Sequence, residues 1–335
     1  MPALRIGLVY DLLGSIPRGA SDPPDADAEY EPEATVRVLE GAIECLGHRP
    51  LRVGSPHDLL AQLGKSELPA LDAALNIAEG FGSRNREAWA PVLLEMAGVP
   101  CLGSDALTLS LTLDKPMAVV LVADAGVAVP EQVCVGSAGE AESICLPGQF
   151  PLFVKPRWEG TAKGIRPSSR VADRPALLRE VARITRDYRQ PALIETFLAG
   201  PEFTVTVVGN EPPRVLPVLQ RALDATTRIG LHAVEAHAPA GARFEACLPG
   251  RLDAALEAEL GELAVRAYRA LACRDFARAD FRLDDAGVPH FLEMNPLPTF
   301  APDGTFGILA ELEGRPLTEL LAEVLAGGLA RLGLA

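Results

Sequence analysis

The sequence predicts an α/β protein that begins with an open α/β domain. Over the first hundred residues, short apolar runs alternate with stretches of helical periodicity. At 335 residues, with 48% hydrophobic and 23% charged side chains, the chain can fill sizeable cores in two or three domains. Its net charge of −14 leaves no basic stripe for nucleic acid. Any anionic ligand must therefore be held by a few placed cations, helix ends or metal ions.

Ile6 to Tyr10 reads as a first strand leading straight from the N-terminus, not as a signal peptide. Glu33 to Leu46 carries helical spacing through Val36, Leu39 and Ile43, and Gly47 closes it. Leu51 to Val53 and Ala73 to Ile77 read as short strands, and Arg86 to Ala97 as a helix closed by Gly98. The order is then strand, helix, strand, strand, helix, with ligands expected at the strand C-terminal ends. Between Asp11 and Glu33 runs a Pro/Gly/Asp loop holding Asp22, Asp25, Asp27, Glu29 and Glu31, which reads either as solvated or as substrate-facing. Ser104 to Pro130 is one helical stretch followed by a turn, Phe150 to Pro156 a strand, and Pro175 to Tyr188 a helix. Strands follow at Ala192 to Glu195 and Phe203 to Val208, then a long amphipathic helix from Leu252 to Ala272. Two strands, Arg278 to Leu283 and His290 to Met294, and a terminal helix from Leu317 to Leu332 complete the chain. No apolar run approaches the roughly 20 residues of a membrane helix. Six dispersed cysteines without a CxxC pair read as buried thiols of a cytoplasmic protein.

Three stretches carry chemistry. In the hairpin around Asp285 to Gly287, period-two alternation puts Arg278, Asp280 and Arg282 on one face. Glu293 and Asn295 share a face of the returning strand, while Leu292 and Met294 turn away. A loop over Asp285 to Val288 pairs Leu283 with His290 and sets Asp280 opposite Glu293. Facing carboxylates destabilise a sheet unless a cation sits between them, and Asp, Glu and Asn offer the hard oxygens that suit Mg²⁺. A polar outer face balanced by the two arginines fits the same pattern. The second stretch runs from Phe153 to Ile165. Lys155 at the end of an apolar strand calls for an anion, and Gly160, Thr161 and Gly164 can turn backbone N–H groups toward phosphate. In the third, Glu195 ends one strand and Glu202 begins the next, around Phe197.

These stretches, in this order, resemble the ATP-grasp superfamily and, within it, the D-alanine–D-alanine ligases. Gly103-Ser104, Leu113-Asp114-Lys115 and Ala125-Gly126-Val127 are similar as well. The resemblance implies an N-terminal α/β domain (1–104), a central ATP-grasp subdomain (105–190) and a C-terminal subdomain with a metal site (191–335). It implies ATP as cofactor, with Lys115 and Lys155 on its phosphates, Glu195 and Phe197 at the adenine hinge, and Glu202 on the ribose. Asp280, Glu293 and Asn295 are implied as ligands of two Mg²⁺ ions, with Mn²⁺ as an alternative, which decides the hairpin for metal. Arg278 is implied to stabilise the transferred phosphate. Glu29 matches the acid that orients the first amino acid's ammonium, Thr161 stands where the family has the serine of that network, and Glu159-Gly160 are retained. The implied reaction is ATP-dependent joining of a small-molecule carboxylate and amine through an acyl phosphate, with no nucleic-acid or membrane partner and a homodimer through the N-terminal domain. The competing readings are a true D-alanine–D-alanine ligase of cell-wall synthesis, an ATP-grasp phosphotransferase and a nucleotide-binding module.

The chain also departs from that family. Asp11-Leu12-Leu13-Gly14 and the acidic loop replace a Gly-Gly-rich turn, and Asn76-Ile77-Ala78-Glu79-Gly80 replaces a His-Gly. In the loop over the phosphates, His237 and Ala238 stand for a lysine and a tyrosine, and Lys163 is expected to make up part of the lost charge. After Asn295, Pro296-Leu297-Pro298-Thr299 lacks the glycine and serine of the second D-alanine pocket, so the acceptor is expected not to be D-alanine.

Overall fold

In the computed structural model, residues 2–15, 19, 22–230, 233, 244–245 and 252–335 are described. The N-terminal sheet is all parallel, in the order β2-β1-β3-β4, from β1 (Arg5–Val9), β2 (Arg49–Gly54), β3 (Ala73–Asn76) and β4 (Cys101–Leu102). Helix α1 (Glu33–Cys45) follows β1 and buries Val36, Leu39 and Ile43, as its spacing predicts. The expected order omitted α2 (Pro56–Lys65), which makes the crossover that two parallel strands require. Its start was written in the sequence: Ser55 accepts the Asp58 N–H, Asp58 answers with its carboxylate, and Pro56 fills the first turn. A short 3-10 turn at Arg86–Ala88 runs into α3 (Trp89–Met96).

The single helical stretch expected from Ser104 is two helices, α4 (Ala106–Leu113) and α5 (Lys115–Asp124), bent by 101°. Pro116 lies one residue past the break; it has no N–H to donate and its ring excludes the carbonyl four residues back, so α4 cannot run on. Asp114 at the corner accepts two bonds from Arg157 (3.0 and 2.9 Å) and one from the Trp158 indole (3.0 Å), which holds the bend. No single helix among the described residues is long and apolar enough to cross a membrane.

The central sheet has the order β5-β8-β6-β7, from β5 (Gln132–Val135), β6 (Leu152–Pro156), β7 (Arg170–Val171) and β8 (Ala192–Thr196). It runs past the expected boundary at 190, and its apolar face packs on α6 (Ala138–Ser143) and α7 (Arg174–Asp187) through Leu152, Val154, Leu177, Val181 and Ile184. The third sheet is built from β9 (Glu202–Val208), β10 (Arg214–Val215), β11 (Leu219–Arg221), β14 (Phe276–Leu283) and β15 (Pro289–Asn295). A separate short ribbon pairs β12 (Leu223–Asp224) with β13 (Phe244–Glu245). Helix α8 (Ala254–Ala270) covers the third sheet, and Ala118, Val119 and Val122 of α5 join that core. Two last helices, α9 (Thr305–Leu312) and α10 (Leu317–Arg331), return the chain to the first sheet, where Leu320, Leu321 and Val324 share a core with α1.

The β14–β15 hairpin sets Asp280 opposite Glu293, as expected, but Leu283 pairs with Pro289 and not with His290. A bulge after Asp280 inserts Leu292 as an extra residue, which brings Leu292 onto the cleft side beside Glu293 instead of turning it away. The thiols are also more varied than expected: Cys273 is buried, Cys101 and Cys134 are part-buried, Cys45 and Cys145 are exposed, and Cys247 lies outside the described residues.

Candidate active site

The central and third sheets face each other across a cleft. From the central sheet come Phe153, Lys155 and Glu195, with Phe197 just past β8; from the third come Glu202, Asp280, Arg282, Leu292 and Glu293. Lys115 reaches the same cleft because it is the first residue of α5, just past the 101° corner. One end is apolar: Phe153 stacks on Phe197 at 6.0 Å, Ile229 and Ala233 are buried beside them, and Arg170 and Arg282 lie 5.1 and 5.2 Å from the Phe197 ring centre. The other end is densely charged.

Lys155 sits on β6 opposite β8, and its ammonium lies 2.9 Å from Glu195. Burial works against the charge of Lys155, but Glu195 and Glu293 outweigh it and hold the ammonium above its ordinary value. Lys115 donates to the Glu159 carbonyl and lies 3.4 Å from Glu293. Glu202 begins β9 opposite Arg282 of β14, at 3.5 Å, and burial pushes its carboxyl upward. Asp280 accepts the Thr204 hydroxyl at 2.7 Å on one oxygen and Arg278 at 2.8 Å on the other. Burial opposes its charge, yet Arg278 and Arg221 keep it below the usual carboxylate range. Arg221 and Thr204 were not expected here; the Arg221 Nε donates to the Thr204 hydroxyl at 2.8 Å.

For a metal, the donor chemistry fits a hard divalent cation bound together with phosphate. Among the described residues no three His, Cys, Asp or Glu side chains stand where they could hold a metal ion by themselves. Asp280 and Glu293 face each other and Asn295 follows on the strand of Glu293, and carboxylate and amide oxygens are the hard donors that Mg²⁺ takes together with substrate phosphates and water.

A second, small cavity adjoins this charged end and is lined by Glu79, Glu87, Thr112, Lys115, Glu159, Gly160, Thr161, Glu293, Asn295 and Pro296. Thr161 is held at φ 47°, a left-handed conformation that a β-branched residue seldom adopts, and the loop turns there. Behind Gly160 stands Glu29, with its side chain 2% exposed. One of its oxygens accepts Arg86 at 2.9 Å and the Gly160 N–H at 2.6 Å; the other accepts Lys163 at 2.9 Å. A Cβ at position 160 would meet that first oxygen at 2.8 Å, so any larger residue has to push the Glu29 carboxylate from its place. Burial alone would raise the Glu29 carboxyl, but Arg86 and Lys163 pull it down to about 2.

Lys163 lines the cleft, and its ammonium is paired with both Glu29 and Glu159. The acidic loop is packed in part. Asp25 accepts the Gly164 N–H and the Tyr188 hydroxyl at 2.8 Å, and Glu31 accepts Thr35 and Thr299 at 2.8 and 3.2 Å. His237 lies outside the described residues.

Sequence reasoning missed Arg86, Glu79 and Glu87. Arg86 lies 3.4 Å from Glu79 and 3.5 Å from Glu87 through the same nitrogen. Burial pushes Glu87 up to about 7 and, with repulsion from Glu87 and Glu29, raises Glu79 well above its usual value. The available signal was a run of ionisable residues at the C-terminal end of β3, where open α/β sheets place ligands.

Comparison with known proteins agrees with this geometry. The family model described as "D-ala D-ala ligase C-terminus" matches residues 121–326. Uncharacterized protein y4sG of Sinorhizobium fredii is 31% identical over 330 residues, covering 96% of each chain. The D-alanine–D-alanine ligase of Syntrophotalea carbinolica is 30% identical over 293 residues, 88% of this chain and 90% of that one. Among solved structures, the VanG D-Ala:D-Ser ligase of Enterococcus faecalis superposes with a TM-score of 0.71 at 18% identity, over 97% of this chain and 99% of the other. With its paired sheets closing on one cleft, the chain belongs to the D-alanine–D-alanine ligase family and is a divergent member with the ATP-grasp fold.

Proposed function

We propose that the protein is an ATP-dependent carboxylate–amine ligase that works through an acyl phosphate and takes an acceptor other than D-alanine. The observation that carries the reading is the facing pair Asp280 and Glu293, with Lys115, Lys155 and Arg278 around it, at the charged end of a cleft whose other end is aromatic.

A carboxylate is a poor acyl donor because its leaving group is oxide. Transfer of a phosphoryl group from ATP makes that oxygen part of a phosphate, which an amine can displace. Such transfer depends on positioning and charge neutralisation. In this reading Phe153 and Phe197 hold the base, and Glu202 accepts from the ribose hydroxyls. Lys115 and Lys155 draw the phosphates to the charged end, and Arg278 shifts from Asp280 toward the transferred group. Asp280, Glu293 and Asn295 would hold Mg²⁺, which supplies charge neutralisation when bound. The carboxylate and amine meet in the cavity bounded by Gly160, Thr161 and Asn295. Thr299, where the family has glycine, donates to Glu31, so the loop that would receive a second amino acid's carboxylate is already engaged. We place the reaction in the cytoplasm, where ATP is available.

The test is a screen of carboxylic acids against amines for ADP release, with mass detection of the condensed product. The reading expects a product heavier than either substrate, formed without D-alanyl-D-alanine. Efficient D-alanyl-D-alanine formation at millimolar D-alanine would overturn the acceptor assignment.

A further inference from the structure

We propose that the pair Glu79 and Glu87 is the base of the amide-forming step: it takes the proton that the acceptor's ammonium must lose before its nitrogen attacks the acyl phosphate. The inference rests on the ligase reading above and concerns the cavity bounded by Gly160, Thr161 and Asn295, which both acids line.

An amine that arrives as an ammonium has no lone pair, so a base must stand where it reacts. Among the described residues four glutamates line this cavity, and two are committed elsewhere. Glu293 faces Asp280 and lies 3.4 Å from Lys115. Glu159 is paired with Lys163 and accepts Gln190 at 2.7 Å. Glu79 and Glu87 both turn to Nη1 of Arg86, at 3.4 and 3.5 Å. That nitrogen makes its shorter bond, 2.9 Å, to the Glu79 carbonyl, and Nη2 is turned to Glu29. With side chains 13% and 9% exposed, the two acids reach the cavity but have little water around them. Two carboxyls so placed hold a proton between them rather than ionise together. Burial and repulsion from Glu29 bring Glu87 to about 7, while burial with repulsion from Glu87 and Glu29 lifts Glu79 well above its usual value. Arg86, Lys115 and Lys163 favour the charged forms, and Glu159 and Glu293 line the same cavity. Near neutral pH, Glu79 thus keeps its proton while Glu87 gives and takes one, the range in which a general base works.

The protons balance. Ionised Glu87 takes one proton from the ammonium, and the freed nitrogen forms the C–N bond to the acyl carbon. The C–O bond to phosphate breaks with its electrons on the phosphate oxygen. The nitrogen's second surplus proton goes to that phosphate, and Glu87 returns the first to water.

Competition between two nucleophiles tests this. Hydroxylamine is uncharged at neutral pH and needs no base before it attacks, whereas ethylamine, glycine and D-serine arrive as ammonium groups. The full chain is given ATP, Mg²⁺, a donor acid (alanine or lactate of either chirality), hydroxylamine and one of these amines. The ratio of amide to hydroxamate is measured by mass from about pH 6.5 to 9. Both products drain the same acyl phosphate, so the ratio does not depend on how fast that intermediate forms. In the wild type the ratio is expected to rise with pH and level off above about 7. Glu87→Gln is expected to lower it by about 10²-fold at neutral pH and to leave it climbing with the fraction of free amine. Glu87→Asp is expected to restore part of the loss. Should Glu87→Gln fail to fold, Glu87→Asp and the wild-type profile decide. An unchanged ratio in Glu87→Gln, a wild-type ratio that climbs without levelling, or hydroxamate with no amide from any of these amines would overturn the inference while leaving carboxylate activation intact. No hydroxamate from any donor would overturn the ligase reading as well.

Discussion

Two charged regions lie side by side in this molecule and are built on opposite principles. In the cleft, Asp280 and Glu293 face each other across a strand pair, with Lys115 of α5 beside Glu293 and Arg278 of β14 itself beside Asp280. At the Glu29 node the carboxylate already has its cations: Arg86 and the Gly160 N–H sit on one oxygen and Lys163 on the other, though 134 residues separate Glu29 from Lys163. The cleft awaits ligand charge, whereas the node supplies its own. Changes in the cleft should therefore act first on activity, and changes in the node first on stability.

The largest expected effect is in the cleft. Asp280→Asn or Glu293→Gln should lower ATP-dependent turnover by about 10³-fold or more, measured as ADP release, with a thermal midpoint close to that of the wild type. Lys155→Met should lower kcat/KM for ATP by about 10²-fold and also destabilise the fold, because Glu195 is left buried and unpaired. Adding Glu195→Gln should restore the denaturation midpoint but not turnover; recovery of both would contradict an anion-binding role for Lys155.

The node should behave differently. Gly160→Ala forces a Cβ to within 2.8 Å of the Glu29 oxygen and should cost about 1–3 kcal/mol in urea unfolding. The smallest effect is on pH dependence. The folded-state carboxyl of Glu87 lies at about 7, above its ordinary 4.5, so its contribution to stability is full below about 4.5 and is lost as pH rises through about 7. Glu29 runs the other way: its carboxyl at about 2 contributes above about 4.5 and fades as pH falls toward 2. Unfolding free energy measured from pH 5 to 8 should fall less steeply in Glu87→Gln than in the wild type; identical slopes would contradict this assignment.

The same contrast governs what could be read from the chain. The opposition of Asp280 and Glu293 was legible because strand alternation and hairpin pairing are local rules. The bulge that turns Leu292 into the cleft was not, since one inserted residue leaves the alternation of each half intact. The helix α2 was legible in Ser55-Pro56-His57-Asp58 but passed over, as was the break that Pro116 imposes after Asp114. The node was closed to such rules. Arg86 meets Glu29 and Glu159 only after the N-terminal sheet and the central sheet have packed, and no spacing within one segment announces it. Lys163 shows the consequence: read locally it is a cation next to a phosphate loop, and in the fold it is the counter-ion of two carboxylates.

The most direct test of the central claim is isotopic. With the donor carboxylate labelled in ¹⁸O and a competent amine present, carboxylate activation places one labelled oxygen in each phosphate released, because that oxygen leaves with the phosphoryl group. Phosphate released without label while the condensed product forms would contradict the acyl-phosphate route.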